Sequence, residues 1–339
     1  MTDDQALHCA TERAYDMIFK GPVDFFVVKA AYELGLFEAL AAGPQSVASL
    51  AEQTGSVPQR LERLLVAMAQ IGLVQPIAGD WAITPLSQQF FTAEDEHRNL
   101  TMLPFVSYMS DLIHSYYGSL ADVTRGKLDF TSQIPHPPRT RDDSVFYETI
   151  HRSNLHFVLK FLRDAAKLEG VQQLVDVGGG IGDIAAALCE KHPALNVTLI
   201  NLPSALDLVR DNVAERGLGG QITPVAVDMY REPYPAGDAV LFSRILYPMN
   251  PQFCTMLLQK AYDALPSGGR VLVLDMVISD PHKPNYDYLT HYLCGVGMGF
   301  SVLDFKDHAI YPGLLTQLGF TDISFDTAYD HVLYQAVKA

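Results

Sequence analysis

The sequence predicts an α/β protein in two parts: a parallel sheet flanked by helices, preceded by a smaller module of helices and a β-hairpin. Three observations predict it. The run Leu174-Val175-Asp176-Val177-Gly178-Gly179-Gly180-Ile181-Gly182-Asp183 passes from β-prone residues through a glycine cluster into the apolar Ile184-Ala185-Ala186-Ala187-Leu188. That is the pattern of a buried strand, a tight turn and a helix start. Beyond it, strand-like runs at 196–200, 222–227, 239–243 and 270–276 alternate with helical stretches, which implies a parallel sheet with helices on both faces. Ahead of it, helical spacing gives way to two short β runs joined by a turn.

Composition narrows the function classes. The 339 residues are 48% hydrophobic, enough for two domains with a full-sized core. The charge balance, 24 Lys+Arg against 39 Asp+Glu, leaves a net of -15. Such a chain is poorly suited to sequence-independent nucleic-acid binding, which rests on cationic contacts to phosphate. Cys9, Cys189, Cys254 and Cys294 lie far apart with no C-x-x-C spacing, so buried thiols are expected rather than a disulfide framework or a zinc site. No apolar run approaches the ~20 residues of a membrane span. Met-Thr-Asp-Asp-Gln also lacks the basic and apolar regions of a signal peptide. A soluble cytoplasmic protein is expected.

Taken in order, Phe26, Ala30, Leu34 and Phe37 have helical spacing from 24 to 40, and Gly43-Pro44 breaks it. Ser46 is placed to cap a short helix through Glu52, ended by Thr54-Gly55. Ser56-Val57-Pro58-Gln59 has capping-box form with Pro in the first turn. The helix it opens carries Leu61, Leu64, Leu65 and Met68, and Gly72 stops it. Residues 73–77 and 81–84 read as a hairpin turning at Gly79-Asp80. Helices followed by such a hairpin make a winged helix-turn-helix, whose obvious use is DNA binding. Here the candidate recognition helix offers only Arg60 and Arg63, opposed by Glu62, so its apolar faces are expected to pack against another subunit. Residues 24–92 resemble the N-terminal dimerisation domain of the small-molecule O-methyltransferase family. The run Ala31-Tyr32-Glu33-Leu34-Gly35-Leu36-Phe37 and the pairs Leu64-Leu65 and Gly72-Leu73 carry the likeness, which implies a homodimer. The expected layout is a dimerisation domain at 1–105, a helical pocket-lining segment at 106–165 and a cofactor-binding catalytic domain at 166–339.

Residues 98–168 read as mostly helical, interrupted at 125–144, where Pro135, Pro137 and Pro138 exclude regular structure. The rings and imidazoles of this region either pack between domains or line a pocket for a large flat apolar substrate. Tyr117, Phe146, Tyr147 and His151 are its pocket candidates, with Met298 from a later segment. A last pair of strands, 323–326 and 331–336, is joined by a turn at Asp330.

The glycine turn selects among nucleotide-type ligands. A dinucleotide fingerprint needs G-x-G-x-x-G, and starting from Gly178 its last position falls on Asp183. Glycines 178, 180 and 182 instead give G-x-G-x-G, which resembles the first motif of S-adenosylmethionine (SAM)-dependent methyltransferases. Ligands of open α/β sheets bind beyond the carboxyl ends of the strands. Asp176, Gly178 and Gly180 close the first strand. The second ends at Asn201-Leu202, where the family usually carries an acid gripping both ribose hydroxyls. Asn201 can accept one hydrogen bond and donate another, without the charge. Beyond the third, Asp228-Met229 matches the family's adenine-binding pair. Ser243 holds a cofactor-facing family position at the end of the fourth, where Arg244 can meet the methionyl carboxylate. The resemblance implies a class I SAM-dependent methyltransferase, a Rossmann-like seven-stranded sheet with an antiparallel final strand inserted, which uses SAM and holds no metal of its own.

At the chemistry the family pattern breaks. Its fourth strand leads to a His-Asp-Trp run whose His deprotonates the substrate hydroxyl, but here Tyr247-Pro248-Met249 occupies those positions. The stretch 303–306 lacks the Glu that orients that His, and Asp304 is nearby but displaced. A phenol, with an ordinary pKa of about 10, is a poor general base at neutral pH. Either the nucleophile is carbon or catalysis is lost. In 286–300, His291 precedes glycines 295, 297 and 299; it is a packed core residue or an axial ligand for a chelated metal. Taken whole, the chain resembles one subgroup of the family, the C-20 methyltransferases of magnesium bacteriochlorophyllides in green sulfur bacteria. That resemblance implies methyl transfer from SAM to a meso carbon, with His291 as axial ligand to the substrate's magnesium and Tyr247 as acid/base or positioning group. Two alternatives stay open. One is an O-methyltransferase of a phenol or polyketide with His151 or His114 as base, and the other is a non-catalytic SAM-binding protein.

Overall fold

In the computed structural model the described residues are 16, 21–92, 102–115, 117–125, 127, 138–152, 155–247, 249–275, 308–328 and 331–339. They fall into two compact units, 1–114 with 152–154, and 115–151 with 155–339.

The first unit contains α1 (Gly21–Glu33), α2 (Leu36–Ala41), α3 (Val47–Thr54), α4 (Pro58–Gln70), the hairpin β1 (Val74–Ile77) and β2 (Asp80–Ile83), α5 (Pro85–Phe90) and most of α6 (Leu103–Ser115). The single helix expected over 24–40 is two helices. Gly35, at φ 67, takes the left-handed conformation that ends a helix cheaply only at glycine, and α2 starts afresh after it. Ser46 caps α3 as expected, its hydroxyl accepting from the Ser49 amide, and Gly55 closes the helix. The capping box at Ser56 does not form. Val57 is the N-cap, without a side-chain bond, and Pro58 opens α4 with a preset φ, its missing N–H costing nothing in a first turn. The hairpin turns one residue earlier than expected, at Ala78 (φ 52) and Gly79 (φ 93), the two positive φ values that a tight hairpin needs. Gln45 pairs with Trp81 as a third, one-residue strand on its edge. Leu36, Phe37, Leu40, Leu50, Leu61, Leu65 and Met68 form the core of this unit.

The second unit contains a short 3-10 turn (Tyr117–Ser119), α7 (Leu120–Thr124), α8 (Arg141–Arg152, its last residue apart), α9 (Leu155–Ala165), β3 (Gln173–Val177), α10 (Asp183–Lys191), β4 (Asn196–Asn201), α11 (Leu206–Glu215), β5 (Ile222–Ala226), β6 (Ala239–Ser243), α12 (Pro251–Ala264), β7 (Arg270–Asp275), α13 (Ile310–Gln317), β8 (Phe320–Ala328) and β9 (His331–Lys338). One seven-stranded sheet runs β5-β4-β3-β6-β7-β9-β8. Its first five strands are parallel, and β9 is antiparallel to both neighbours, as the family resemblance implied. Strands β3, β6 and β7 are buried along nearly their whole length, which is why they read as continuous apolar runs rather than alternating ones. From β3 the chain moves to β4 and β5 on one side and then returns to β6 on the other. The crevice between the carboxyl ends of β3 and β6 is therefore the switch point where such sheets take their ligands. Among the described residues no helix is long and apolar enough to cross a membrane.

Candidate active site

The floor of the crevice is the glycine turn. Gly178 has φ 65, and a Cβ there would stand 2.7 Å from Ile245 Cδ1, across the switch point. At Gly179 a Cβ would collide with Asp176 Oδ2 and approach Leu199 Cγ to 2.9 Å. Gly178 continues the ladder by donating to Ile200 O at 2.9 Å. Asn212 Nδ2 donates to Ile181 O at 2.9 Å, which fixes the far end of the turn. Asp183, the residue that spoils the dinucleotide fingerprint, opens α10 and turns aside into a buried ion pair with Arg216.

Asp176 lies beneath this turn with no solvent exposure, and neither carboxylate oxygen has a hydrogen-bond partner. Burial pushes its carboxyl up to about 7, because the charged form is the one that loses solvation. Asn201, at the end of β4, spends its amide on the scaffold. Its Nδ2 donates to Gly180 O at 2.9 Å and its Oδ1 accepts from the Leu202 amide at 2.8 Å. Leu202 follows, half-buried. The loop after β5 starts from the same place, Val227 N donating to Asn201 O at 3.1 Å. There Asp228 Oδ1 accepts from the Tyr230 amide at 2.9 Å, and Met229 packs half-buried against the core. Lys260, from α12, holds this loop by donating to Met229 O at 2.9 Å and Glu232 O at 3.0 Å.

The opposite wall follows β6. Ser243 Oγ is buried with no hydrogen-bond partner. Arg244 sits at φ 56, a conformation costly for a side chain with a Cβ and found where surrounding structure enforces it. Its amide donates to Leu274 O at 2.7 Å, and its guanidinium donates to His151 O at 3.2 Å. Tyr247, three residues on, is half-buried. Burial pushes its phenol up to about 12, with Arg244 opposing the shift and Asp275 adding to it. Asp275 ends β7, fully buried, and accepts from Tyr311 Oη at 2.9 Å.

Helix α8 spans the mouth. Ser144 is buried and bonded Oγ to Oγ with Ser204 at 3.1 Å, and His151 O receives Arg244 at the other end. Between them Glu148 places Oε2 2.7 Å from where a Cβ of Gly180 would stand. Tyr147 and His151 are half-buried, their rings 4.2 Å apart, whereas Phe146 is 52% exposed on the outer side of the same helix. Tyr117 opens the 3-10 turn with its side chain outside the described residues. His291 and Met298 lie outside them altogether, as do Asp304 and Lys306.

Asp176, Gly178, Gly180, Asn201, Leu202, Ser243 and Arg244 thus gather at one switch point, with Asp228 and Met229 on the adjoining loop. Glu148, Asp275, Tyr311 and Lys260 stand at the same candidate site, and sequence reasoning missed them. Asp275 carried a signal, an acid ending the apolar run Val271-Leu272-Val273-Leu274, while Glu148 stands in a segment with no motif. SAM fits what is present. The missing Cβ atoms of Gly178 and Gly180 let Ile245 and Glu148 close on the turn, and Ser243 offers a buried hydroxyl with no hydrogen-bond partner; Asp176, expected as a ligand, is sealed beneath Gly179.

Comparison with known proteins shows the family and the fold. A model of the O-methyltransferase domain matches residues 137–320, over half of the chain, and one of the O-methyltransferase dimerisation domain matches 18–93. The chain is 47% identical over 326 residues to the bacteriochlorophyllide d C-20 methyltransferase of Chlorobaculum tepidum, covering 96% of each. It is 32% identical over 262 residues to the 3-hydroxy-5-methyl-1-naphthoate 3-O-methyltransferase of Streptomyces sahachiroi, covering 74% of this chain and 73% of the relative. Among solved structures, human N-acetylserotonin methyltransferase in complex with SAM superposes with a TM-score of 0.81 at 21% identity, over 100% of this chain and 99% of that one, a likeness of fold.

Proposed function

Because the chain belongs to the O-methyltransferase family, and is therefore a SAM-dependent methyltransferase, we propose that its acceptor is the C-20 meso carbon of a magnesium bacteriochlorophyllide in bacteriochlorophyll biosynthesis. The observation that carries the proposal is the 47% identity with the Chlorobaculum tepidum enzyme, spread over 96% of both chains rather than confined to the cofactor motifs.

SAM supplies an electrophilic methyl group. The chain's residues divide the work of holding it. Gly178 and Gly180 admit it above Asp176, Asn201 and Leu202 border its ribose, Asp228 and Met229 its adenine, and Ser243 and Arg244 its methionyl end. Tyr247 supports carbon rather than oxygen as the acceptor. A phenol pushed up to about 12 keeps its proton at neutral pH, so it donates a hydrogen bond and cannot prepare a hydroxyl nucleophile. An electron-rich meso carbon needs no such preparation. With SAM bound, its C–S bond would break as the C–C bond forms, and the meso proton would leave afterwards, from the cation so produced. In this reading Tyr247 positions the macrocycle and passes that proton toward the Asp275–Tyr311 pair. His291 ligates the substrate's magnesium, and Tyr117, Tyr147, His151 and Met298 meet the macrocycle; Phe146, expected beside them, faces outward from α8 and is left out of the pocket. The enzyme works in the cytoplasm as a homodimer paired through residues 18–93.

The test is incubation with SAM and a magnesium bacteriochlorophyllide lacking the meso methyl, read by product mass and the meso-proton resonance. One added methyl with loss of that proton is expected. A methyl gained with the proton retained would place it on oxygen, with the half-buried His151 imidazole as the base to examine.

A further inference from the structure

The cofactor's methionyl end presents a carboxylate and an α-ammonium, and both need partners in the crevice. Arg244 answers the carboxylate. No motif side chain at that end is an accessible anion, since Asn201 is neutral and its amide already serves Gly180 and Leu202. Asp176 is sealed beneath Gly179.

Helix α8 brings the missing anion. It is tied down on both sides of the switch point, through Ser144 to Ser204 in the loop after β4 and through His151 O to Arg244 after β6. Glu148 lies four residues from the first tie and three from the second, on the face they share. Its Oε2 hangs over Gly180, 2.7 Å from the point a Cβ would occupy, so the glycine's absent side chain is the space its carboxylate uses. The Arg244 guanidinium meets the same helix at His151 O, one turn along. A carboxylate and a guanidinium gathered on one side of the helix suit the two opposite charges of an α-amino acid.

We propose that Glu148 is the anionic partner of the cofactor's α-ammonium, forming with Arg244 a two-charge clamp for its amino-acid end. The assignment rests on the methyltransferase reading and deepens it. The clamp brings from α8 a negative charge that the neutral Asn201 at the end of β4 does not supply, and it makes α8 a cofactor-binding element rather than only a substrate wall.

Calorimetric titration of the full chain with S-adenosylhomocysteine and with its analogue lacking the α-amino group tests this without turnover. The unaltered chain is expected to prefer the complete ligand. Glu148→Gln should weaken it about 10- to 100-fold, the range of a hydrogen bond to a charged group, and change the analogue less than about 3-fold. Glu148→Asp, which keeps the charge and shortens the reach, should recover part of the preference. Equal losses for both ligands, or no loss for either, overturn the assignment, the first pointing to a packing role for α8. An unaltered chain that binds neither ligand overturns the cofactor reading and the clamp together.

Discussion

Asp176 is the residue whose chemistry departs furthest from its sequence appearance. An acid beside a glycine turn invites the role of exposed ligand, yet it lies fully buried with its carboxyl pushed from 3.8 up to about 7. A carboxyl raised on folding binds more protons in the native state between those two values, so stability falls as pH rises from about 4 to 7. Integrated over that window the loss is of order 4 kcal/mol, an upper bound. Asp176→Asn should therefore flatten denaturant-derived stability across pH 4 to 7 and leave the variant more stable at pH 8. A variant whose pH slope matches the parent would mean the burial is relieved by water. Tyr247 was legible as a departure from the family, and its proton-holding character was not, because that depends on burial and on Asp275. In the proposed mechanism, Tyr247→Phe keeps the ring and removes the hydroxyl that would pass the proton. A fall in kcat of about 10²- to 10⁴-fold with little change in KM is expected for a proton-transfer role, and an undiminished kcat would leave the residue purely positional.

At the scale of elements, most strands and the two helix ends marked by Ser46 and Gly55 could be read directly, since period, capping residue and glycine are local signals. The breaks that were missed are also local, but ambiguous. Gly35 sits inside a spacing that suits one helix or two, and only its positive φ decides. Likewise Ala78 carries no turn signal, though the two-residue loop requires a positive φ from it. The crevice itself was placed by strand order, while the ties that shape it join residues far apart in sequence, such as Ser144 with Ser204 and Tyr311 with Asp275. No periodicity reports such pairs. The glycine turn offers a clean contrast in packing. Gly179→Ala drives a methyl into Asp176 and Leu199 and should cost about 1–3 kcal/mol in chemical denaturation. Gly219→Ala, with nothing within 4 Å of the new methyl, should stay within about 0.5 kcal/mol of the parent. Equal effects at the two sites would mean the turn yields more than its contacts suggest.

For the whole molecule, the seven-stranded sheet and its inserted antiparallel strand came from resemblance and agree with the structure, whereas spacing alone supplied only the alternation. The first unit keeps Val23, Phe26, Val57, Val66 and Leu86 exposed, an apolar allotment consistent with the matched dimerisation domain. Light scattering should give twice the 37.4 kDa chain mass for the parent, and Phe26→Glu should lower it toward one chain. A parent already at one chain mass would remove the homodimer from the proposal. The sheet's order also bears on how the chain is made. Strand β9 leaves the ribosome after β8 yet lies between β8 and β7, and it is the only described partner of β8. Throughout synthesis, then, β7 waits with one flank bare, and β8 has no docking place until the segment behind it arrives. The far half of the catalytic sheet therefore cannot close until β9, the strand that joins its two sides, has been made.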